Sequence, residues 1–225
     1  MTHVIFVTGT DTGVGKTVVA TLLTRQLRRQ GRRVAALKPL CSGGREDAAA
    51  LHAAAGGAMS LDEINPWHFH APLAPALAAR KEHRRVLAAE VLAQVRQAQA
   101  RFGIVLVEGA GGLLSPLGVG FNARDLIAKL RATPVVVVPN RLGAVNQALL
   151  VLAALPPAAA RRAQVVLVTQ SHPDASARSN AALLAEHISR DRVHRLPWLC
   201  DSGQAASARR VAADLLRQLF LCSAP

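Results

Sequence analysis

The chain has no tyrosine, five phenylalanines and two tryptophans. So few aromatic side chains leave little to stack against nucleic-acid bases. Its three cysteines, Cys41, Cys200 and Cys222, are odd in number and share no metal-ligand spacing. This argues against a disulfide scaffold and for reduced thiols in a cytoplasm. No apolar run approaches the roughly 18 residues of a membrane span. Met1 leads straight into Val4-Ile5-Phe6-Val7 without a basic leader, so no secretory signal is expected. Acidic residues number 14 against 27 basic ones, giving a formal net charge of +13. The basic residues are nearly all arginine, in ones and twos such as Arg28-Arg29, Arg32-Arg33 and Arg209-Arg210. None forms the run of five or six like charges typical of a binding tail. The expectation is a solvated, arginine-biased surface with neither nucleic acid nor membrane as partner.

What is present reads as one domain over residues 1–225, with 51% hydrophobic residues and enough length for a sizeable core. Continuously apolar runs at 4–8, 33–37, 104–108, 134–138, 164–169 and 193–197 suit parallel strands covered on both faces. Stretches of helical period lie between and after them, at 17–30, 47–55, 86–100, 144–155, 176–189 and 204–221. Gly31 supplies a stop for the first helix. The alternation predicts an α/β fold: a three-layer α/β/α, P-loop NTPase-like domain with a mainly parallel sheet. Residues 56–75, with Pro66, Pro72 and Pro75, break the pattern and are expected to form a loop region. In such sheets ligands gather beyond the carboxyl ends of the strands, so the residues after each strand carry most information.

After the first strand comes Gly9-Thr-Asp-Thr-Gly13-Val14-Gly15-Lys16-Thr17, followed by a helix. Glycines let backbone N–H groups turn inward around phosphate oxygens. The helix start adds free N–H groups and the positive end of its dipole. Lys16 can reach the β and γ phosphates of a nucleotide, and the Thr17 hydroxyl can bind Mg2+. The generic spacing would place the first glycine at Thr10, whereas here it stands at Gly9. Val18 occupies the place of the third small residue in a dinucleotide fingerprint, which argues against that alternative.

Only Lys16, Lys38, Lys81 and Lys129 are lysine in this arginine-rich chain. Lys38 ends the second strand, and a compact ammonium there can hold a small anionic centre. Asp47 follows shortly. The third strand ends Glu108-Gly109-Ala110-Gly111-Gly112, putting a carboxylate where a nucleotide-bound Mg2+ needs an acidic partner. By themselves, Lys38 also fits a solvated strand end and Glu108 a loop carboxylate. The helix opening at Gly143 to Asn146 suits either a second anion or simple capping. His68-Phe69-His70 lacks a third ligand and is not read as a metal site.

These residues resemble the dethiobiotin synthetase family nearly from end to end. The matching pieces are residues 6–17, Lys38-Pro39 with Ser42-Gly43, Asn65-Pro66, residues 107–112, Leu142-Gly143 with Asn146, and Pro197-Trp198-Leu199. The glycine at position 9 fits that family's own loop. The resemblance implies a homodimer that uses 7,8-diaminononanoate, CO2 and MgATP in biotin synthesis, with substrate at the interface. It implies catalytic roles for Lys38 and Lys16. It places ATP against Gly13, Val14, Gly15, Lys16, Thr17, Val18, Asp47, Glu108, Gly109, Ala110, Gly111, Gln170, Pro197, Trp198 and Leu199. Substrate would meet Thr12 and Ser42, with Leu142, Gly143 and Asn146 serving the neighbouring subunit. Mg2+ would sit among Thr17, Asp47 and Glu108. Departures from the family pattern are Gln170, where Asn is usual against adenine, Arg141, where Lys is frequent, and a short loop between Ser42 and Asp47. Two rival readings are a partitioning-type P-loop ATPase, whose early signature Lys is replaced here by Asp11, and another P-loop amidoligase-like synthetase. Enzymes of the latter kind usually carry a further amidotransferase domain.

Overall fold

In the computed structural model, residues 3–199 and 202–221 are described; Cys200 and Cys222 lie outside them, and Cys41 is a free, buried thiol. The elements run β1 (His3–Gly9), α1 (Lys16–Arg29), β2 (Val34–Leu37), β3 (Leu40–Ser42), α2 (Glu46–Ala55), α3 (Leu61–Ile64) and β4 (Trp67–Phe69). They continue α4 (Pro75–Lys81), α5 (Ala88–Arg101), β5 (Ile104–Glu108), α6 (Ala123–Leu130), β6 (Thr133–Asn140) and α7 (Ala144–Ala154). The last are α8 (Pro157–Arg162), β7 (Gln164–Thr169), α9 (Asn180–Ala185), β8 (Val193–Leu196) and α10 (Ser202–Leu221).

Six strands form one sheet in the order β2-β5-β1-β6-β7-β8, and every pairing is parallel. The alternation of side chains across a strand explains why these runs are apolar throughout. Val4 and Phe6 of β1 face one core, and Ile5 and Val7 face the other. Burying such a side chain contributes about 1.5–3 kcal/mol. One core is closed mainly by helices α5, α6 and α7, the other by α1 and α10.

Residues 56–75 correct the loop expectation. They contain α3, which a Ser60/Glu63 capping box starts, and β4, which pairs in parallel with β3 as a separate two-stranded sheet. The apolar residues here are too few per element to show a period, so proline dominated the reading. Helices α6 and α8 were also absent from the sequence expectation. Their start signals were present: Asn122 accepts a hydrogen bond from the backbone N–H of Asp125, and Pro157 opens α8. The expected helix at 176–189 is broken at Ser179 into a 3-10 turn (Ala175–Arg178) and the short α9.

Candidate active site

The register of three neighbouring strands assembles the site. In β1 and β5, Val7 stands opposite Glu108; in β2 and β5, Leu37 stands opposite Val107. Lys38 therefore leaves its strand level with Glu108, and the Gly9–Lys16 loop begins two residues beyond Val7. Adjacent strands are about 4.8 Å apart, so all three strand ends deliver side chains to one place.

The loop is shaped by close approach. A Cβ on Gly9 would come within 2.8 Å of Val14 Cγ2 and 3.1 Å of the Val137 carbonyl oxygen. This accounts for glycine at 9, while Thr10 donates its N–H to Val137 at 3.1 Å. Gly13 and Gly15 have φ of 72° and 96°, a conformation other residues adopt at a cost. Gly15 thus ends the loop and frees the N-terminal N–H groups of α1.

Lys16 is buried, and its Nζ donates to the Asp11 carbonyl at 2.6 Å across its own loop. Burial and the nearby Lys38 charge lower its pKa to about 8. Lys38 is 3% exposed, and its ammonium donates to Glu108 Oε1 at 2.6 Å, Asp47 Oδ2 at 2.9 Å and the Gly109 carbonyl at 3.2 Å. Burial works against that charge, but Glu108 and Asp47 outweigh it and hold Lys38 above its ordinary pKa. Burial pushes the Glu108 carboxyl upward. With three acceptors around one ammonium, Lys38 keeps the proton and Glu108 is its counter-ion. Burial would raise Asp47 too, yet Lys38 draws it below the ordinary carboxylate range.

A cavity of about 770 Å³ opens over this cluster. Thr12, Gly13, Gly15, Lys16, Thr17, Val18, Lys38, Ser42, Asp47, Glu108, Ala110 and Gly111 all line it. Both ammonium groups therefore face one space. Val14, expected among the cofactor residues, packs its side chain into the core, so any contact with a nucleotide would come from its backbone. Ser42 donates its hydroxyl to the Leu73 carbonyl at 2.6 Å, leaving its oxygen as an acceptor. Cys41, Pro72, Leu73, Ala74, Pro75 and Ser115 line the cavity and were not anticipated. The small β3-β4 sheet carries the 72–75 segment over the strand ends, and no periodicity announces that. Ser115, whose Oγ accepts the Gly112 N–H at 2.9 Å, belongs to the glycine-rich turn after β5.

Other expected residues lie outside this cavity. Gln170 follows β7, and Pro197 to Leu199 follow β8, so they stand beyond the carboxyl ends of adjacent strands. Gln170 Nε2 donates back to the Val168 carbonyl at 3.0 Å. Trp198 is 46% exposed. Leu142 is 75% exposed, and Gly143 (φ 86°) and Asn146 are also exposed at the start of α7. The Leu142 N–H is held by Asp174 Oδ2 at 2.8 Å.

The residues fit a hard divalent cation. Thr17 Oγ1 donates to Glu108 Oε1 at 2.7 Å, while Glu108 Oε2 is buried with no hydrogen-bond partner. An orphaned carboxylate oxygen beside a hydroxyl and Asp47 is an all-oxygen donor set of the kind Mg2+ prefers. Among the described residues, no group of three or more His, Cys, Asp or Glu could hold a metal. Phosphate oxygens and water would have to complete such a shell, as is usual for Mg2+.

A parallel sheet with a glycine-rich loop feeding a helix start, and Lys-Thr at that start, defines a P-loop nucleotide-binding protein. Solved structures share the fold: a ParA family ATPase from Chlorobium tepidum TLS (TM-score 0.54, 12% identity, 99% of this chain and 97% of that one). A second is the signal recognition particle receptor FtsY from Elizabethkingia anophelis (TM-score 0.55, 16% identity, 98% of this chain and 66% of that one). A family model described as an AAA domain matches residues 3–206. An ATP-dependent dethiobiotin synthetase BioD from Anaeromyxobacter dehalogenans (strain 2CP-C) is 43% identical over 209 residues, covering 91% of this chain and 94% of that protein. One from Xanthomonas oryzae pv. oryzae (strain PXO99A) is 34% identical over 215 residues, covering 91% and 95%. The chain belongs to the dethiobiotin synthetase family.

Proposed function

We propose that this protein is an ATP-dependent dethiobiotin synthetase, a ligase that forms C–N bonds and closes a cyclic urea from 7,8-diaminononanoate and CO2. The observation that carries the reading is the convergence of Lys16 and Lys38 on one cavity, beside Thr17, Asp47 and Glu108. One amine of the substrate takes up CO2 as a carbamate. The carbamate oxygen attacks the γ-phosphorus of ATP, and ADP leaves. The second amine attacks the carbonyl of the resulting carbamic-phosphoric anhydride, closing the ring and expelling phosphate.

In this scheme Lys16 exchanges the Asp11 carbonyl for phosphate oxygens, whose charge restores the proton affinity that burial takes from it. Lys38 meets the carbamate anion. Its position between carboxylates keeps it protonated, so it supplies a fixed charge where negative charge develops. Thr17, Asp47 and Glu108 would hold Mg2+, which neutralises phosphate charge when bound. Thr12 and Ser42 face the same cavity and support a diamine subsite there. Gly109, Ala110 and Gly111 carry the turn past the phosphates. Gln170, Pro197, Trp198 and Leu199 would surround the adenine. The exposure of Leu142, Gly143 and Asn146 supports the reading that they serve a neighbouring subunit of a homodimer, where the α7 start receives the substrate carboxylate. No described helix is long and apolar enough to cross a membrane. We place the enzyme in the cytoplasm, as a single P-loop domain.

Incubation with diaminononanoate, bicarbonate and MgATP tests the reading. It expects ADP and cyclic urea in equal amounts. ADP release without a ring product would remove the synthetase and leave an ATPase.

A further inference from the structure

The chain leaves the large sheet at Lys38-Pro39. Strand β2 ends at Leu37, and β3, in the other sheet, starts at Leu40. The Lys38 carbonyl therefore falls between two ladders, whereas the Pro39 carbonyl already accepts the Trp67 N–H of β4 at 3.2 Å; Pro39 brings no N–H. Something else must satisfy the buried Lys38 acceptor.

Asn65 does so. It is 1% exposed, and its Nδ2 donates to the Lys38 carbonyl at 2.7 Å and the Pro39 carbonyl at 3.3 Å. The Lys38 N–H in turn donates to the Ile64 carbonyl at 3.1 Å. The Asn65 Oδ1 accepts from Arg45 Nε at 3.1 Å. A guanidinium can only donate and carbonyls can only accept, so these partners admit one orientation of the amide. Arg45 also donates through a terminal nitrogen to the Asn65 carbonyl at 3.0 Å, the Leu61 carbonyl at 3.3 Å and Asp62 Oδ1 at 2.8 Å.

Arg45 immediately precedes α2 and accepts its Ala49 N–H at 2.9 Å; Asp47 is in the first turn of that helix. The contacts close a circuit. Arg45 starts the helix that carries Asp47, its side chain grips Asn65, Asn65 grips the backbone of Lys38, and the Lys38 ammonium returns to Asp47 at 2.9 Å. We propose that Arg45 and Asn65 are positioning residues for the reaction, a linked pair that sets the separation of Lys38 and Asp47 across the mouth of the cavity. The inference rests on the synthetase reading for its kinetic consequence and on the hydrogen-bond circuit for its geometry.

Neither residue touches the cavity, so the effect travels through Lys38. Arg45 is partly exposed, so Arg45→Ala is the variant best suited to fold. With diaminononanoate, bicarbonate and MgATP, Arg45→Ala should lower kcat about 10- to 100-fold, the scale of a small misplacement of a reacting group. The KM for ATP should rise less than kcat falls, since Asp47 is the one proposed nucleotide contact on the affected helix and the phosphate loop is a separate segment. Arg45→Lys should recover little, because one ammonium cannot reproduce the planar fork. In a Lys38→Ala background, adding Arg45→Ala should cost less than about threefold more, because the residue it positions is gone. Full kcat in folded Arg45→Ala overturns the proposal, as does a loss that multiplies with that of Lys38→Ala. A wild-type control that makes no ring product defeats the synthetase reading instead. The inference is then decided by a crystal structure of Arg45→Ala. An opened Lys38–Asp47 contact supports it, and a retained 2.9 Å contact overturns it.

Discussion

Replacing Lys38 by methionine should damage the fold as well as the chemistry, and the two effects can be measured apart. The side chain keeps much of its volume but loses its charge, leaving Glu108, 1% exposed, without its ammonium partner. Removing one member of a buried ion pair costs about 3–5 kcal/mol. In a chain of this size 1 kcal/mol shifts Tm by about 2–4 °C, so Lys38→Met should melt about 6–20 °C below wild type near pH 8. Glu108 can escape by taking a proton, since burial already pushes its carboxyl above the ordinary value and Lys38 no longer opposes this. A carboxyl with a raised folded-state pKa contributes its full stability below the unfolded value and loses it as pH rises through the folded one. The deficit should therefore be smallest near pH 5 and grow toward pH 8. Adding Glu108→Gln should restore most of the lost Tm, because it removes the uncompensated charge. The assay is thermal denaturation by circular dichroism, without metal or nucleotide, across pH 5–8. A Lys38→Met protein within 1 °C of wild type throughout would refute the buried pair, as would a double variant no more stable than the single one.

Two further outcomes are expected. Gly9→Ala forces a Cβ to within 2.8 Å of Val14 and 3.1 Å of the Val137 carbonyl, so the loop must shift. At about 1–3 kcal/mol for overpacking, ATP affinity by calorimetry should fall about 5- to 150-fold, while Gly103→Ala, with open space around its Cβ, should leave it unchanged; equal affinities would show that the loop tolerates the methyl group. His194 is buried between β7 and the helices, its Nε2 lies 2.9 Å from Gln164 Oε1, and burial lowers its pKa from 6.5 to about 4. Its neutral form is the one the fold accepts, so its contribution is complete above pH 6.5 and disappears as pH falls toward 4, by about 3 kcal/mol. In urea titrations, His194→Gln should flatten the stability profile over that window, and an unchanged acid limb would contradict the assignment.

The nucleotide-binding half of the site was legible because it is local. Residues 9–17 are contiguous, and their chemistry depends on a strand, a turn and a helix start that neighbouring residues specify. The core strands were legible for a related reason: a strand buried on both faces must be apolar at every position, as Val135 to Val138 are. The region from 56 to 75 was not, because β3 and β4 are three residues each, pair only with one another and carry no readable period. Their effect on the site is large all the same, since they carry Leu73, Ala74 and Pro75 to its wall. Asn65 was visible as part of a familiar Asn-Pro pair, but its role depends on carbonyls 26 and 27 residues away.

Which residue types this protein needs at its strand ends, and that they belong to a phosphate-handling enzyme of a known family, follows from the amino-acid order alone. Those residues lie in short windows whose backbone geometry is set nearby. How Lys38, Asp47 and Glu108 come to share one charged contact was decided by the packing of β2, β5 and β1 in a single register, with α2 packed against β2 and α1. Pairing between these groups then holds Lys38 and Asp47 charged against the cost of burial, and both the pairing and the burial are properties of the assembled layers rather than of any segment.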